Sequence, residues 1–238
     1  MILKTGTMLL LLLTVLSATA QQQAKQVQLL DVTAGIGNEQ GTASVAYIYN
    51  WHVGKAKRFS IGTSLRFSSY FGSNKYFITA PAKLTSGSTG PFVIFKENIT
   101  ANLDSLLFDA ANTNALNITV NMAYAITPKL TAGVNIDAVG FSFGKVQFAR
   151  YVNGTTVVNT TAKPTVLNAL LVSDNDYGTL NSEFFATYQL SGPWSIKAGL
   201  VFLFSEYTTA TNVQQLPEPN DRFRNKVTTL AVGVRYRL

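Results

Sequence analysis

Residues Leu230 to Leu238 alternate without a break between apolar and polar-or-small side chains. A strand repeats its facing every second residue, so Leu230, Val232, Val234, Tyr236 and Leu238 share one face. Ala231, Gly233, Arg235 and Arg237 share the other. One face requires an apolar medium, the other water or counter-charge. A strand of this kind ending the chain is expected to close a sheet whose two sides meet different solvents.

The beginning of the chain points to the same solvent. Lys4 precedes an apolar run from Met8 to Leu16, and small residues follow at Ala18-Thr19-Ala20. This is the pattern of a secretory signal peptide over residues 1–20, leaving a mature domain of residues 21–238. The run is shorter than the roughly 20 residues that span a bilayer as a helix. No second long apolar run occurs, yet 47% of the chain is hydrophobic and only 13% charged. Apolar content spread out in this way is what alternating strands produce, so the fold class is all-β: an antiparallel up-and-down transmembrane β-barrel. The net charge of +7 is not gathered into patches interleaved with aromatics, which, with export, excludes nucleic acid as partner. It is assigned to lumen and loops, with membrane lipid and phosphate-rich lipopolysaccharide as neighbours. With no cysteine, the chain has neither disulfides nor a lipoprotein anchor.

Alternation predicts about eight segments of the 9 to 11 residues that a tilted transmembrane strand needs, with ten as an alternative if part of 76–108 adds a hairpin to the wall. They begin near Val27, Thr42, Phe59, Leu116, Leu130, Leu180, Trp194 and Leu230. The fourth is the clearest, with Leu116, Ile118, Val120, Met122, Tyr124 and Ile126 against Asn117, Thr119, Asn121, Ala123 and Ala125. Long connections are expected near 70–114, 144–178 and 206–225. Within them 76–78 and 92–95 are candidate short strands, and Asn153-Gly154, between β-formers, is a strong hairpin signal. The turns at 52–58, 127–129 and 191–193 are short and fall at the end where both termini lie. Trp51, Phe59, Tyr124, Tyr188, Trp194 and Tyr236 all face outward near that end, as an interfacial aromatic girdle requires.

Signal peptide, eight strands, short turns on one side and an alternating terminal strand together resemble the small outer-membrane β-barrel proteins of Gram-negative bacteria, the OmpA, OmpX and OmpW architecture. Closing strands of that family commonly end in an aromatic residue read by the barrel-assembly machinery; here Tyr236 stands two before Leu238. The resemblance implies the cell outer membrane as location, periplasmic chaperones and the assembly machinery as transient partners, and a monomer. Its members include membrane stabilisers, adhesins, narrow channels and a few enzymes, so function must be read from the site.

The lumen of an eight-stranded barrel is just wide enough for side chains to fill. Arg66, Asp137 and Glu183 are expected at mid-barrel, with Asp31, Lys197, Arg235 and Arg237 in a second charged layer below and asparagines between. Opposite charges in so narrow a space satisfy one another, since an uncompensated buried charge costs several kcal/mol. A charge-plugged, non-enzymatic envelope or surface-contact protein is the first reading. A narrow channel for small solutes, with Arg66, Asp137 and Glu183 exchanging partners, is the second. The third is an exported barrel binding a lipophilic ligand, with Phe141, Phe143 and Phe185 lining a pocket at the outer rim. Enzymatic readings lack parts: the one histidine, His52, lies in a turn at the inner end, far from any outer-rim triad or metal site. Asp174-Asn175-Asp176 lacks the glycine and glutamate of a calcium loop, so no cofactor or metal is expected.

Overall fold

The computed structural model describes residues 26–238. The signal peptide expected over 1–20 lies outside the described residues. Eleven strands follow one another: β1 (Gln26–Gly37), β2 (Gln40–Val53), β3 (Phe59–Thr79), β4 (Ser105–Ala125), β5 (Leu130–Phe143), β6 (Gln147–Asn153), β7 (Thr156–Pro164), β8 (Leu167–Ala169), β9 (Leu180–Ser191), β10 (Trp194–Thr209) and β11 (Arg222–Arg237). Eight of them close a ring in the order β1-β2-β3-β4-β5-β9-β10-β11, every neighbour antiparallel. The ring shuts where β11 meets β1, from Leu29 opposite Arg237 to Ile36 opposite Leu230.

The chemistry of alternation dictates which side is which. Leu30, Val32, Ile36, Val45, Tyr47, Leu65, Phe67, Ile118, Val120, Phe184, Ile196, Val232 and Val234 are exposed on the outside, while Asp31, Thr33, Arg66, Asn117, Asn121 and Lys197 are buried within. From Tyr124 to Asn114, ten residues rising about 3.3 Å each at a tilt of about 40° climb about 25 Å, the height of an outer-membrane apolar band. The turns at the lower end are short. Thr127 Oγ1 accepts the N–H groups of Lys129 and Leu130, and Gly192 turns the chain between β9 and β10 at φ +52°, a conformation that favours glycine.

Above this ring stands a second one. Beyond the rim β11 leaves β1 and pairs with β3 (Phe223 opposite Thr79), β4 leaves β5 and pairs with β6, and β7 pairs with β10. With the β6–β7 hairpin these pairings close a six-stranded ring, β3-β4-β6-β7-β10-β11, on top of the eight-stranded one. Much of the connection expected over 70–114 is therefore strand: β3 runs on to Thr79, β4 begins at Ser105, and the ring count stays at eight because the extra residues lengthen these strands. Residues 76–78 belong to β3, whereas 92–95 form a 3-10 turn in the lid over residues 80–104, beside the short helix α1 (Ala82–Ser86). The Asn153-Gly154 signal marks the tip of β6–β7, with Gly154 at φ +56°.

The upper ring has an apolar core, the reverse of the lower one. Tyr70, Phe77, Leu106, Phe108, Leu203, Tyr207 and Phe223 are fully buried there, with Phe77, Phe108 and Tyr207 in mutual ring contact at 4.5 to 5.2 Å. In β3 and β4 the inward face changes parity together. Ser64, Arg66, Ser68 and Tyr70 point inward, then Phe77 and Thr79; opposite them Thr119, Asn117, Ala115, Thr113 and Ala111 give way to Phe108 and Leu106. The change falls at Asn74, which adopts the left-handed conformation at φ +52°, between the Ser73–Ala110 and Lys75–Phe108 pairs.

Candidate functional site: the filled lumen

The lumen side chains lie in layers, each built from residues that alternation turns inward. Lowest is an open vestibule of about 320 Å³ at the short-turn end, lined by Asn50, His52, Ser60, Thr187, Gln189, Arg235 and Arg237 among others. His52 belongs to β2, opposite Ser60. Arg237 is exposed at the mouth, its guanidinium donating to Gln189 Oε1 at 3.4 Å, so it stands apart from the buried charges with which the sequence grouped it.

The vestibule ends on a buried cluster of two acids and two bases. Arg235 Nε donates to Asp31 Oδ2 at 2.5 Å, Lys197 Nζ reaches Asp31 Oδ1 at 2.5 Å, and the same ammonium pairs with Glu183 at 2.8 Å. Asn135 Nδ2 donates to the other Glu183 oxygen at 3.0 Å. Phe185 is the floor of this cluster, with the Arg235 guanidinium 3.9 Å and the Lys197 ammonium 5.8 Å from its ring centre. The charges cancel, and the aromatic face adds cation–π attraction in a site shielded from water.

Above it Arg66 and Asp137 form a separate neutral pair. Asp137 is 0% exposed and accepts Arg66 Nε at 3.0 Å and Nη2 at 2.5 Å, Asn117 Nδ2 at 2.7 Å and the Asn181 backbone N–H at 2.8 Å. Arg66 Nη2 also donates to the Asn181 carbonyl at 2.5 Å. Glu183 thus sits with Lys197 in the lower cluster, not in one layer with Arg66 and Asp137; on β9 it is opposite Asn135, two residues nearer the short-turn end than Asp137. Asn117 accepts Asn168 Nδ2 at 2.8 Å and donates to the Thr179 carbonyl, so the 165–179 segment is stitched to this layer.

The aromatic core of the upper ring lies above that. Outside this ring, on the outward face of β10 and β11, a second ion cluster is buried under the 170–178 loop. Glu206, 0% exposed, receives Arg222 through both oxygens at 2.8 and 3.0 Å and Arg224 at 2.7 Å, while Arg222 lies 3.4 Å over the Tyr177 ring. Asp174 pairs with Lys226 at 2.8 Å, and Asp176 accepts the N–H groups of Leu171 and Val172. The Asp174-Asn175-Asp176 run thus serves its own loop and β11. Burial pushes the Asp176 carboxyl above the usual carboxylate range. Sequence reading missed Glu206, Arg222 and Arg224, although the two arginines continue the outward parity of Leu230 and Val232 along β11.

Phe141, Phe143 and Phe185 do not line one pocket. A bulge at Ala138, where Ile118 faces Val139 and Thr119 faces Asp137, reverses the facing of β5 above it. Phe141 and Phe143 therefore stand on the outer wall and Phe185 in the lumen. The six girdle aromatics all lie on the outside near the short turns, Trp194 and Tyr236 in edge contact at 4.8 Å.

No protein-family model and no curated protein matches the chain. Solved structures align over most of it. Neisserial surface protein A shares 8% identity over 90% of this chain and 96% of its own, at a TM-score of 0.36. Ail, the attachment invasion locus protein of Yersinia pestis, crystallised with the heparin analogue sucrose octasulfate, shares 8% over 90% and 98%, at 0.36. A major outer membrane protein from Thermus thermophilus shares 12% over 89% and 99%, at 0.37. What places this chain in a membrane is its own outer surface. A closed antiparallel ring with no free edge, an apolar outer band, an aromatic girdle and a polar interior make it an integral β-barrel of the outer-membrane type.

Proposed function

We propose that the protein is a non-enzymatic, sealed barrel of the outer membrane that holds a rigid structure above the surface, serving the envelope or contact with what lies outside. The observation that carries this reading is the continuous filling of the lumen: a neutral four-charge cluster, a neutral Arg66–Asp137 pair with its asparagines, and then an aromatic core whose Phe77, Phe108 and Tyr207 are fully buried. A conducting pathway would have to break all three. The upper ring and its lid, held by Gln214 donating to the Asn102 carbonyl and accepting from Thr79, form a fixed platform and not a set of free loops. Membrane lipid and lipopolysaccharide are its lasting neighbours, and chaperones and the barrel-assembly machinery its transient ones. The test is planar-bilayer recording of the purified protein. Silence of the natural chain supports the sealed reading; steady openings abolished or altered in size by Asp137→Ala would replace it with the channel reading.

A further inference from the structure

Where β4 changes partner, the wall has a seam. Its pairing with β5 ends at Asn114 opposite Phe143, and its pairing with β6 starts at Leu107 opposite Arg150, so residues 108–113 have no strand partner on that side. Tyr207 fills the gap from within: its hydroxyl accepts the Asn112 N–H at 3.0 Å and donates to the Asn112 carbonyl at 2.7 Å, as a neighbouring strand would. Outside the seam remains a cleft of about 580 Å³ lined by Asn112, Asn114, Phe143, Gly144, Lys145 and Gln147.

Depth and chemistry both select an occupant for this cleft. Asn114 lies about 25 Å above the lower girdle, at the level where the apolar band gives way to headgroups. Below the cleft, lipid-facing Phe143 touches Phe67 and Phe141 at ring distances near 6 Å. Beside it Phe148, 86% exposed, and Val146, 64% exposed, point away from the protein. The lining has one cation and no acid. Lys145 Nζ and Asn112 Nδ2 make no hydrogen bond or ion pair among the described residues, while Gln147 is turned into the wall, its Nε2 fixed on the Asn112 carbonyl at 3.1 Å and its Oε1 buried. Unused donors, one of them a cation, and an apolar wall beneath them match an anionic headgroup with acyl chains below.

The geometry points to the cleft at the β4–β5–β6 corner as a seat for a phosphorylated glycolipid of the outer leaflet. Its phosphate lies on Lys145 and within reach of Asn112 Nδ2, and its acyl chains run along Phe143 and Phe141. This rests on the outer-membrane reading. The test uses the full chain in detergent, with native mass spectrometry after addition of bis-phosphorylated lipid A or the same lipid stripped of phosphate. Retention of the phosphorylated form alone is expected, with Lys145→Glu weakening it by at least about tenfold, Lys145→Gln by less, and Lys96→Glu in the lid leaving it unchanged. Equal retention by Lys145→Glu, or equal binding of the phosphate-free lipid, overturns the seat. A chain that proves soluble without detergent overturns the membrane reading first, before any lipid is added.

Discussion

Arg66 and Asp137 offer the most direct measure of how the lumen is held. Replacing Arg66 with Met leaves the Asp137 carboxylate buried, with hydrogen bonds from Asn117 and the Asn181 N–H but without a counter-charge. Two charge-assisted bonds of about 1.5–3 kcal/mol each are lost, in line with the about 3–5 kcal/mol that breaking one side of a buried ion pair costs. Arg66→Met should therefore destabilise the barrel by about 4 kcal/mol. Asp137→Asn added to it removes the stranded charge and keeps an oxygen for Asn181, so the double variant should recover to within about 1–2 kcal/mol of the natural chain, a gain of about 2–3 kcal/mol over Arg66→Met alone. Urea unfolding in lipid vesicles reads this, because Trp51 and Trp194 both lie on the lipid-facing girdle and report loss of the bilayer by fluorescence. A single-variant cost below about 1 kcal/mol, or a double variant no better than the single, would refute a buried, mutually compensating pair.

Three further outcomes follow from neighbouring geometry. Tyr207→Phe removes the hydroxyl that completes β4 at Asn112 and should cost about 1–3 kcal/mol, with faster amide hydrogen exchange at Asn112 and its neighbours and none of that change on β1 or β2. A Cβ at Gly140 would meet Asn117 Oδ1 and the Leu116 carbonyl, both at 2.2 Å, so Gly140→Ala should lose about 1–3 kcal/mol in the same unfolding assay; an unchanged midpoint would show that the Asn117–Asn168 layer is loose. Burial raises the hydroxyls of Tyr207 and Tyr151 above the ordinary tyrosine range, Tyr151 also through its bond to Asp104. The folded state keeps those protons while the unfolded chain releases them, so stability should fall as pH rises above about 10. Phenolate absorbance should show late-titrating tyrosines among the ten in the chain, and Tyr151→Phe should remove one.

The membrane-spanning part was legible because lipid outside and a filled polar lumen inside impose a strict period of two. Starts at Thr42, Phe59, Leu130, Leu180 and Trp194 fall within two residues of strand ends because nothing interrupts that period. What escaped is where the period is kept but its polarity is not. Across the face change at Asn74 the inward face of β3 and β4 changes parity, so Phe77, Phe108 and Leu106, which share the parity of lipid-facing Phe67 and Ile118, turn into the core. Ala138 does the same to β5 and moved Phe141 and Phe143 from the lumen to the wall. Pairing of Lys197 with both Asp31 and Glu183 was hidden for another reason. Depth in a tilted barrel depends on the stagger between strands, and counting residues from each turn ignores it.

The two stacked rings show how one set of strands serves two solvents. In lipid the barrel must be apolar outside and polar within; above the membrane, water demands the reverse. β10 and β11 make the change by composition at constant parity. Inward residues pass from Lys197 to Leu203 and Tyr207 and from Arg235 to Val227 and Phe223, while outward ones pass from Phe202 to Glu206 and from Leu230 to Lys226 and Arg224. β3 and β4 make it by geometry, exchanging faces at Asn74 and Asp109. The first solution leaves polar groups on the outer wall where the lid and loop pack down, and there Glu206 gathers Arg222 and Arg224. The second frees one edge of β4 at the rim, the edge that Tyr207 closes from inside and the Lys145 cleft leaves open to the leaflet. A variant that prevents the exchange tests the link. Asn74→Val disfavours the left-handed backbone there, and it should loosen the Phe77–Phe108–Tyr207 core and the Asn112 amide together while leaving the Arg66–Asp137 layer protected in hydrogen exchange. Loss of protection in both layers at once would mean that the two rings are a single cooperative unit.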